Sequence, residues 1–350
     1  MKAAILHSPG TISLDTVPDP TVVEPTDALV RVTASCICGS DLWPYRGQAP
    51  RRGRIGHEFV GVVTDVGAEV RTIRPGQVVI APFVHSCGKC VNCRAGWTTS
   101  CLIGGDWGSE DRGGTMVDGG QGEFVRVPLA DGTLVAADVE EGDSRIPALL
   151  TLSDVMGTGH HAALSAGVQP GESVVVVGDG AVGLCAVLAA ARLGAERIFM
   201  LSTRPDRAAV AQKFGATDIV AARGDEAVAA VRELTGGLGA DRACECVGTS
   251  ASWASAVGAV RPGGKVGYVG VPAGVADGLP IRDMFGRNVS VGGGVAPVRT
   301  YLPELLAEVL AGTLDPSPVF TATMPLTAVA DGYAAMDDRT EIKVLLTPGG

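Results

Sequence analysis

The chain has 350 residues, more than one compact domain usually holds, so we expect two domains. Its hydrophobic fraction of 46% and its 49 glycines suit a globular protein with a sizeable core and many tight turns. The formal net charge is −10 and the sequence contains no basic run, which argues against nucleic acid as a partner.

The N-terminal stretch and the cysteines bear on where the protein works. "MKAAILHSPG" has neither a long apolar region nor a cleavage site, so we do not expect a signal peptide. The nine cysteines are an odd number, and their spacing does not suggest the disulfide framework of a secreted protein. We therefore expect a cytoplasmic protein whose clustered thiols hold metal.

The first part of the chain, up to about residue 155, is predicted to be rich in β-structure. "DALVRVTAS", "GVVTDVG" and "QVVIAPF" are short runs of strand-forming residues between turns rich in glycine and proline. No repeated helical pattern separates them. We expect an irregular β-rich domain with long loops.

Two short segments of this part carry residue types that bind metals. "CICGSDLWPYRG" contains Cys38, Ser40 and Asp41, and "GHEFVGVV" contains His57 and Glu58. Taken singly, a cysteine is usually a small core residue and a histidine is usually structural. Together these residues offer a thiolate, an imidazole and carboxylates, which is the ligand mixture of an open catalytic zinc site.

Four of the nine cysteines lie in one stretch, "CGKCVNCRAGWTTSC". Cys87, Cys90, Cys93 and Cys101 have the spacing C-x₂-C-x₂-C-x₇-C. Four thiolates so close together form a closed tetrahedral site with no vacant position for a substrate. We therefore predict a structural zinc rather than a reaction centre. The spacing alone leaves an iron–sulfur cluster or unligated thiols as alternatives.

From about residue 155 the pattern changes to alternating strands and helices. "SVVVVG" and "RIFMLS" are apolar strands, and "AVGLCAVLAAARLGA" and "RPDRAAVAQKFGA" are helices, which together predict a doubly wound α/β domain. Residues 173–195 are apolar enough to resemble a membrane span. Because Asp179 and several glycines interrupt them, we expect a strand, a turn and a helix, and no membrane. After about residue 295 a helix and the strand-like "EIKVLLTP" are expected to return to the first domain.

The first turn of the α/β domain, "VVVVGDGAVG", predicts a dinucleotide site. Gly178, Gly180 and Gly183 have the G-x-G-x-x-G spacing, after an apolar strand and at the start of a helix. These glycines allow a tight turn, a close approach of the backbone to a pyrophosphate, and close packing of the helix on the strand. The intervening candidates for cofactor binding are Asp179, Ala181 and Val182. The alternative is a plain structural turn.

The end of the second strand distinguishes NAD from NADP. Sites for NAD usually place Asp or Glu there to bind the ribose hydroxyls. Here "LSTRPDR" places Ser202, Thr203 and Arg204 at this point, with Arg207 one turn later. Hydroxyls and a guanidinium bind a 2′-phosphate, which an acid would repel. We predict a preference for NADP(H); the alternative is that Arg204 is only a solvated surface residue.

In combination these motifs resemble one known family, the zinc-dependent medium-chain alcohol dehydrogenases of the medium-chain dehydrogenase/reductase superfamily. The resemblance covers nearly the whole chain, and it is carried by Cys38-Gly39-Ser40-Asp41, by Gly56-His57-Glu58 with Gly61, by the four-cysteine stretch and by the glycine loop. It implies an α/β protein with a GroES-like β-rich catalytic domain, residues 1–156 and 296–350, which includes a structural zinc lobe at 86–105. Residues 157–295 would form a Rossmann domain with a doubly wound parallel sheet.

The family resemblance implies a role for each candidate metal ligand. Cys38 and His57 resemble the catalytic zinc ligands, and Glu58 resembles the neighbouring acid that lies at the metal and joins it transiently. Asp154, in "LSDVMGTGHHAAL", matches the bacterial form of the family that uses Asp as a further ligand. The four-cysteine stretch would hold zinc, so two zinc ions are expected per chain, one catalytic and one structural.

The resemblance also implies roles beside the metal. Asp41 resembles the carboxylate that orients the zinc histidine, and Ser40 resembles the hydroxyl that binds the substrate oxygen and relays its proton. Many relatives carry a histidine five residues after the zinc cysteine as the outlet of this relay. Trp43 stands there, and an indole does not shuttle protons at ordinary pH. We hypothesise that Trp43 walls the substrate or cofactor cleft instead.

Five further residues are candidates for the substrate or cofactor site. Trp107, in "GGDWGSEDRGG", either lines the substrate cleft or is a packing residue. Cys246, Val269 and Gly270 lie at predicted strand ends that face the cofactor. Lys343 resembles a late basic residue that closes over the cofactor in relatives, although a surface lysine is the alternative.

We expect hydride transfer between NADP(H) and a small alcohol, aldehyde or ketone, by a zinc-dependent alcohol dehydrogenase or carbonyl reductase. The motifs do not separate this activity from that of a polyol, amino-alcohol or glutathione-adduct dehydrogenase. A catalytically silent nucleotide-binding protein on the same fold is the other alternative. The resemblance implies a homodimer or homotetramer, formed through the sheet edge near "VSVGGGV".

Overall fold

The computed structural model describes residues 1–111, 114–272 and 279–349. It divides into two compact units, Met1–Asp154 with Pro297–Gly350, and Val155–Ala296.

The first segment of the first unit contains β1 (Lys2–Ser8), β2 (Thr11–Thr16), β3 (Ala28–Cys36), α1 (Leu42–Tyr45), β4 (Gly53–Arg54), β5 (Phe59–Val66), β6 (Val78–Ala81), β7 (Val84–His85), α2 (Val91–Arg94), β8 (Gly105–Asp106), β9 (Phe124–Val127), α3 (Ala130–Thr133), β10 (Val135–Ala137) and α4 (Ile146–Thr151). The second unit contains α5 (Val155–Ala166), β11 (Ser173–Val177), α6 (Ala181–Arg192), β12 (Arg197–Leu201), α7 (Pro205–Lys213), β13 (Asp218–Val220), α8 (Gly224–Leu234), β14 (Ala240–Glu245), α9 (Ser250–Ala259), β15 (Val260–Tyr268), α10 (Ile281–Arg287) and β16 (Ser290–Gly293). The last segment returns to the first unit with α11 (Val298–Leu310), β17 (Ala322–Pro325), α12 (Val329–Asp337) and β18 (Val344–Thr347).

The first unit is built around a seven-stranded sheet. Its strand order is β10-β6-β5-β3-β18-β17, with β9 also paired to β3. The C-terminal strand β18 pairs antiparallel with β3, in the register Leu345 opposite Cys36, so the end of the chain is part of this sheet. Buried residues alternate along the first part of β3, as expected for a strand with only one face on the core.

The second unit contains a six-stranded parallel sheet in the order β13-β12-β11-β14-β15-β16. This order reverses between β11 and β14, which defines a doubly wound sheet and confirms the predicted Rossmann fold. Val174, Val175 and Val176 of β11 are completely buried, because helices cover a parallel sheet on both faces. Of the described residues, no helix is long and apolar enough to cross a membrane.

The glycine loop between β11 and α6 has the predicted strand–turn–helix form. Gly178 has a φ of +115°, a conformation that favours glycine. A Cβ added at Gly183 would overlap the carbonyl oxygen of Gly178, so only glycine lets α6 begin this close to the strand. The sequence prediction of a tight turn and a closely packed helix is therefore confirmed.

Candidate functional site

The four-cysteine stretch forms one compact group of thiols in the first unit. One ligand atom from each of Cys87, Cys90, Cys93 and Cys101 lies within 4.8 Å of all the others. The Sγ atoms of Cys87 and Cys93 are 4.0 Å apart. Thiolates that share a tetrahedral zinc at about 2.3 Å lie roughly 3.8 Å apart, so the geometry fits zinc.

Backbone groups of the same stretch favour the thiolate form. The Cys90 N–H donates to the Cys87 Sγ at 3.3 Å, and the Cys87 N–H donates to the Cys101 Sγ at 3.2 Å. The backbone N–H groups of Cys93 and Leu102 lower the pKa of the Cys90 thiol to about 6. These donors stabilise a thiolate at Cys90, whereas burial and the neighbouring thiols raise the pKa of Cys93 to about 12.

A second group of candidate ligands comes from three separated parts of the first unit. Ligand atoms of Cys38, His57, Glu58 and Asp154 lie within 4.8 Å of one another. Asp154 Oδ2 is 3.5 Å from both the Cys38 Sγ and the His57 Nε2. Ligands of one tetrahedral zinc at about 2.0–2.3 Å lie roughly 3.3–3.8 Å apart, so these atoms also fit zinc.

Asp41 contacts two of these candidate ligands. Its Oδ2 accepts a hydrogen bond from the Cys38 N–H at 3.0 Å, and its Oδ1 lies 3.2 Å from the His57 Nδ1. Burial lowers the pKa of His57, but the charges of Asp41 and Cys38 raise it well above its usual value. The contact with Asp41 orients the imidazole so that Nε2 faces Cys38 and Asp154, as a metal-binding histidine requires.

Lys343 is a buried residue, so the alternative of a surface lysine is wrong. It is only 1% exposed and its Nζ forms an ion pair with Glu58 Oε1 at 2.6 Å. Its Nζ also donates to the Ile37 carbonyl at 3.2 Å. Burial lowers the pKa of Lys343, but Cys36 and Glu58 raise it well above its usual value.

Glu58 itself is completely buried beside the metal-binding group. While Oε1 binds Lys343, Oε2 has no hydrogen-bond partner among the described residues. A buried carboxylate oxygen without a partner is costly, which is consistent with a cation at this position. The residues of this group therefore fit a bound metal.

Trp107 is a core residue, so the prediction that it lines a substrate cleft is wrong. It is completely buried, packs edge to face on Phe59 at 5.0 Å between ring centroids, and donates from Nε1 to the Pro82 carbonyl at 2.8 Å. The alternative prediction, that the Trp107 indole packs in the core, agrees with this position.

Trp43 lies in α1 and is half-buried. Ser40, in the single turn before that helix, is also half-buried.

In the second unit, Asp179 of the glycine loop binds residues at the end of β12. Its Oδ2 accepts from the Ser202 Oγ at 2.9 Å. Arg207 is 5% exposed and donates to the Asp179 carbonyl at 3.1 Å, with its guanidinium 3.4 Å from Asp179 Oδ1. The prediction that Arg207 receives a cofactor phosphate is therefore wrong, since this side chain is buried against the loop and balances the Asp179 charge.

The exposed basic groups at this edge are Arg204 and Arg223. Arg204 forms an ion pair with Asp206 at 3.2 Å, and both side chains are partly in solvent. Arg223, which follows β13, donates to the Thr203 Oγ1 at 3.2 Å. Among the described residues, no carboxylate pairs with Arg223.

The other predicted cofactor residues lie at the same ends of the parallel strands. Cys246 follows β14, and its N–H donates to the Val177 carbonyl at 2.9 Å, next to Gly178. Val269 and Gly270 follow β15 and donate their N–H groups to the Glu245 carbonyl. Ligands of doubly wound sheets bind at these carboxyl ends, beside the strand order reversal.

Three residues near the candidate sites were not predicted. Arg223 follows the third strand of the α/β domain, and a basic residue at this point of the sequence indicates phosphate binding. Gln121 and Tyr333 are buried beside Asp41 and bind each other, with Tyr333 Oη donating to Gln121 Oε1 at 3.0 Å. They are 212 residues apart, so their association leaves no local pattern in the sequence.

Comparisons with known proteins agree with both units. Residues 24–138 match the family model of the alcohol dehydrogenase GroES-like domain, and residues 181–311 match that of the zinc-binding dehydrogenases. A probable zinc-binding alcohol dehydrogenase of Mycobacterium tuberculosis is 36% identical, over 99% of this chain and 89% of that protein. The glutathione-independent formaldehyde dehydrogenase of Bacillus subtilis is 33% identical, over 92% of this chain and 87% of that protein.

Among solved structures, the alcohol dehydrogenase TADH of Thermus sp. ATN1 is similar over its whole length. The TM-score is 0.91 at 33% identity, and the match covers 99% of each chain. These matches confirm the GroES-like domain and the family expected from the motifs. The chain belongs to the zinc-binding medium-chain alcohol dehydrogenase family.

Proposed function

We propose that this protein transfers a hydride between NADP(H) and a small alcohol, aldehyde or ketone, with one catalytic and one structural zinc per chain. The observation that carries the proposal is the convergence of Cys38, His57, Glu58 and Asp154 on one buried point of the first unit. The glycine loop that opens α6 supports the dinucleotide part, since it has the turn, the close packing and the helix N-terminus that a pyrophosphate needs.

The candidate metal ligands of the first unit form a site where a substrate oxygen would bind the metal. Bound there, zinc would supply Lewis acidity that lowers the pKa of an alcohol or polarises a carbonyl. Cys38, His57 and Asp154 would hold the metal, and Asp41 keeps the His57 ring in the orientation that directs Nε2 to it. Lys343 holds one oxygen of Glu58 and leaves the other for the metal.

Proton transfer is assigned to Ser40. Its hydroxyl stands two residues after Cys38, in the turn that also carries Asp41, and it would bind the substrate oxygen and pass its proton on. Trp43 cannot continue that path, because an indole N–H only donates. We assign the half-buried Trp43 to the wall of the substrate or cofactor site, so the proton would leave Ser40 by a path that does not include Trp43.

The test is a screen of alcohols, aldehydes and ketones with NADP(H) and NAD(H), in which formaldehyde, polyols and amino alcohols separate the possible substrate classes. We expect turnover by the wild type and a loss of at least about 10³-fold in kcat/KM for His57→Gln, because the metal site is incomplete. His7→Gln is the matched control, since His7 is exposed on β1. No turnover of any substrate by zinc-loaded wild type, or equal activity of the two variants, would contradict the proposal.

We propose NADP(H) as the preferred cofactor. Thr203, Arg204 and Arg223 form an exposed group of donors at the edge where a 2′-phosphate would lie. The Arg204–Asp206 pair is exposed and such pairs contribute at most about 1 kcal/mol, so a phosphate can compete for Arg204. The opposing observation is Asp179, a buried acid that accepts from the Ser202 hydroxyl and would repel a phosphate placed beside it.

The ratio of kcat/KM for NADPH and NADH decides between these cofactors. If the two arginines bind phosphate, Arg204→Gln and Arg223→Gln each lower kcat/KM for NADPH about tenfold and leave that for NADH unchanged. Arg74→Gln serves as the control, because Arg74 is exposed and belongs to the first unit, which does not contain the glycine loop. A wild-type preference for NADH would contradict the proposal.

We also propose that two copies associate through the free edge of the parallel sheet. Among the described strands β16 pairs only with β15, so its outer edge carries unpaired backbone groups. Ile281 and Phe285 of the preceding α10 are 60% and 86% exposed, which is unusual for large apolar side chains. Light scattering of Phe285→Asp should show a smaller assembly than wild type, and a monomeric wild type would contradict this association.

A further inference from the structure

Gln121 is a buried amide whose two ends are both bound. Its Nε2 donates to the Cys36 carbonyl at 3.0 Å and to Asp41 Oδ2 at 3.2 Å. Its Oε1 accepts from the Tyr333 hydroxyl at 3.0 Å. With only 1% of the residue exposed, solvent does not compete for these bonds.

The partners fix which way the amide points. A backbone carbonyl and a carboxylate only accept hydrogen bonds, so the NH₂ end of Gln121 must face Cys36 and Asp41. The oxygen must then face Tyr333, whose hydroxyl supplies the proton for this bond. Cys36 and Asp41 therefore set the orientation of the amide, and the Tyr333 hydroxyl anchors it with a third hydrogen bond.

Gln121 also supports the chain just before His57. Its N–H donates to the Ile55 carbonyl at 3.1 Å, and the N–H of the preceding Gly120 donates to the Gly56 carbonyl at 2.8 Å. A Cβ added at Gly56 would overlap the Gln121 side chain, and Gly56 has a φ of +94°. The Gln121 side chain thus fills the space beside the turn at Gly56, which positions His57.

Asp41 is the link from Gln121 to two candidate metal ligands. Its Oδ2 accepts from both the Cys38 N–H and Gln121 Nε2, and its Oδ1 faces His57 Nδ1 at 3.2 Å. If Gln121 is lost, the Asp41 carboxylate loses one of its two donors on Oδ2, so its rotation becomes easier. Rotation would change the direction of the His57 ring.

We propose that Gln121, anchored by Tyr333, is a positioning residue of the catalytic metal site, acting on Cys38 and His57 through Asp41. This inference rests on the proposed binding of zinc by Cys38, His57 and Asp154. It concerns metal affinity and geometry, and Gln121 itself touches neither metal nor substrate.

The test is the loss of metal from holoenzyme in a competing chelator, with the four-cysteine site as an internal reference. Gln121→Glu keeps the shape of the side chain but sets an acceptor against Asp41 and the Cys36 carbonyl. We expect its catalytic-site zinc to bind about 10- to 100-fold more weakly, while the second zinc is retained as in wild type. With Co²⁺ in the catalytic site, the visible absorption spectrum should change in this variant.

Tyr333→Phe provides a second variant if Gln121→Glu does not fold. It removes only the hydroxyl that anchors the amide oxygen. Tyr45→Phe is its matched control, because Tyr45 packs on Tyr333 with ring centroids 5.3 Å apart. We expect faster loss of catalytic zinc from Tyr333→Phe than from Tyr45→Phe. Equal loss from both, or wild-type zinc retention and Co²⁺ spectrum in Gln121→Glu, would overturn the inference. A wild-type protein that binds only the structural zinc would instead contradict the proposed function.

Discussion

The buried Lys343–Glu58 pair gives the most quantitative prediction. Lys343→Met removes the ammonium group and retains most of the apolar side chain, which leaves the completely buried Glu58 without its counter-charge. At 2.6 Å and an effective dielectric constant of about 20, the attraction is about 6 kcal/mol. Removal of one partner of a buried pair usually costs about 3–5 kcal/mol, and we expect this loss in the free energy of unfolding.

A double-mutant cycle separates the pair from the other effects of each substitution. Glu58→Gln should destabilise the protein by a similar amount, since it leaves Lys343 buried without an anion. The combined variant Lys343→Met/Glu58→Gln should cost no more than either single substitution, which corresponds to a coupling energy of about 3–5 kcal/mol. The control is Glu141→Gln, because the Arg31–Glu141 pair is almost equally short at 2.5 Å but exposed, and should cost less than about 1 kcal/mol.

The assay is urea unfolding of the zinc-loaded variants, followed by intrinsic fluorescence. Trp43, Trp97 and Trp107 are three of the four tryptophans and lie in the unit that contains the pair, so the signal reports on that unit. A coupling energy below about 1 kcal/mol would refute the argument that the ion pair stabilises this unit through its burial.

Three further substitutions test separate parts of the account. Cys93→Ser should reduce the zinc content by one ion and lower the melting temperature while kcat of the folded protein stays within about threefold of wild type; an equally stable but inactive variant would contradict a structural role. Trp43→His should add an ionisation near pH 6–7 to the profile of kcat, and an unchanged profile would argue against a proton path at this position. Trp107→Ala should destabilise the protein by about 3–5 kcal/mol, whereas Trp97→Ala, at a residue that is 51% exposed, should cost less than about 1 kcal/mol; similar values would contradict the core position of Trp107.

The features that could be predicted from the sequence are those whose residues lie close together in the chain at a characteristic spacing. The glycine loop follows its strand directly, and the four cysteines lie within one stretch, so both patterns are visible in a few residues. Asp154 was found only through the family resemblance, because nothing in "LSDVMGTGHHAAL" alone indicates a ligand. The structure places it with Cys38 and His57.

The residues that were predicted wrongly or missed depend on distant partners. Lys343 meets Glu58, 285 positions away, and a basic residue beside a strand gives no sign of such a pair. Arg207 was expected to face a phosphate because its charge was considered without Asp179, which faces it across the turn. The position of Trp107 could not be decided from the sequence, because a tryptophan in a glycine-rich loop suits either a substrate cleft or a core. Its packing on Phe59 places it in the core.

The central claim is that Cys38, His57 and Asp154 hold a metal distinct from the one in the four-cysteine lobe. It is tested most directly by the zinc content per chain of purified wild type and His57→Gln, with folding checked by circular dichroism. We predict two zinc ions in the wild type and one in the variant. One zinc ion in the fully loaded wild type, or two retained in the folded variant, would contradict the account.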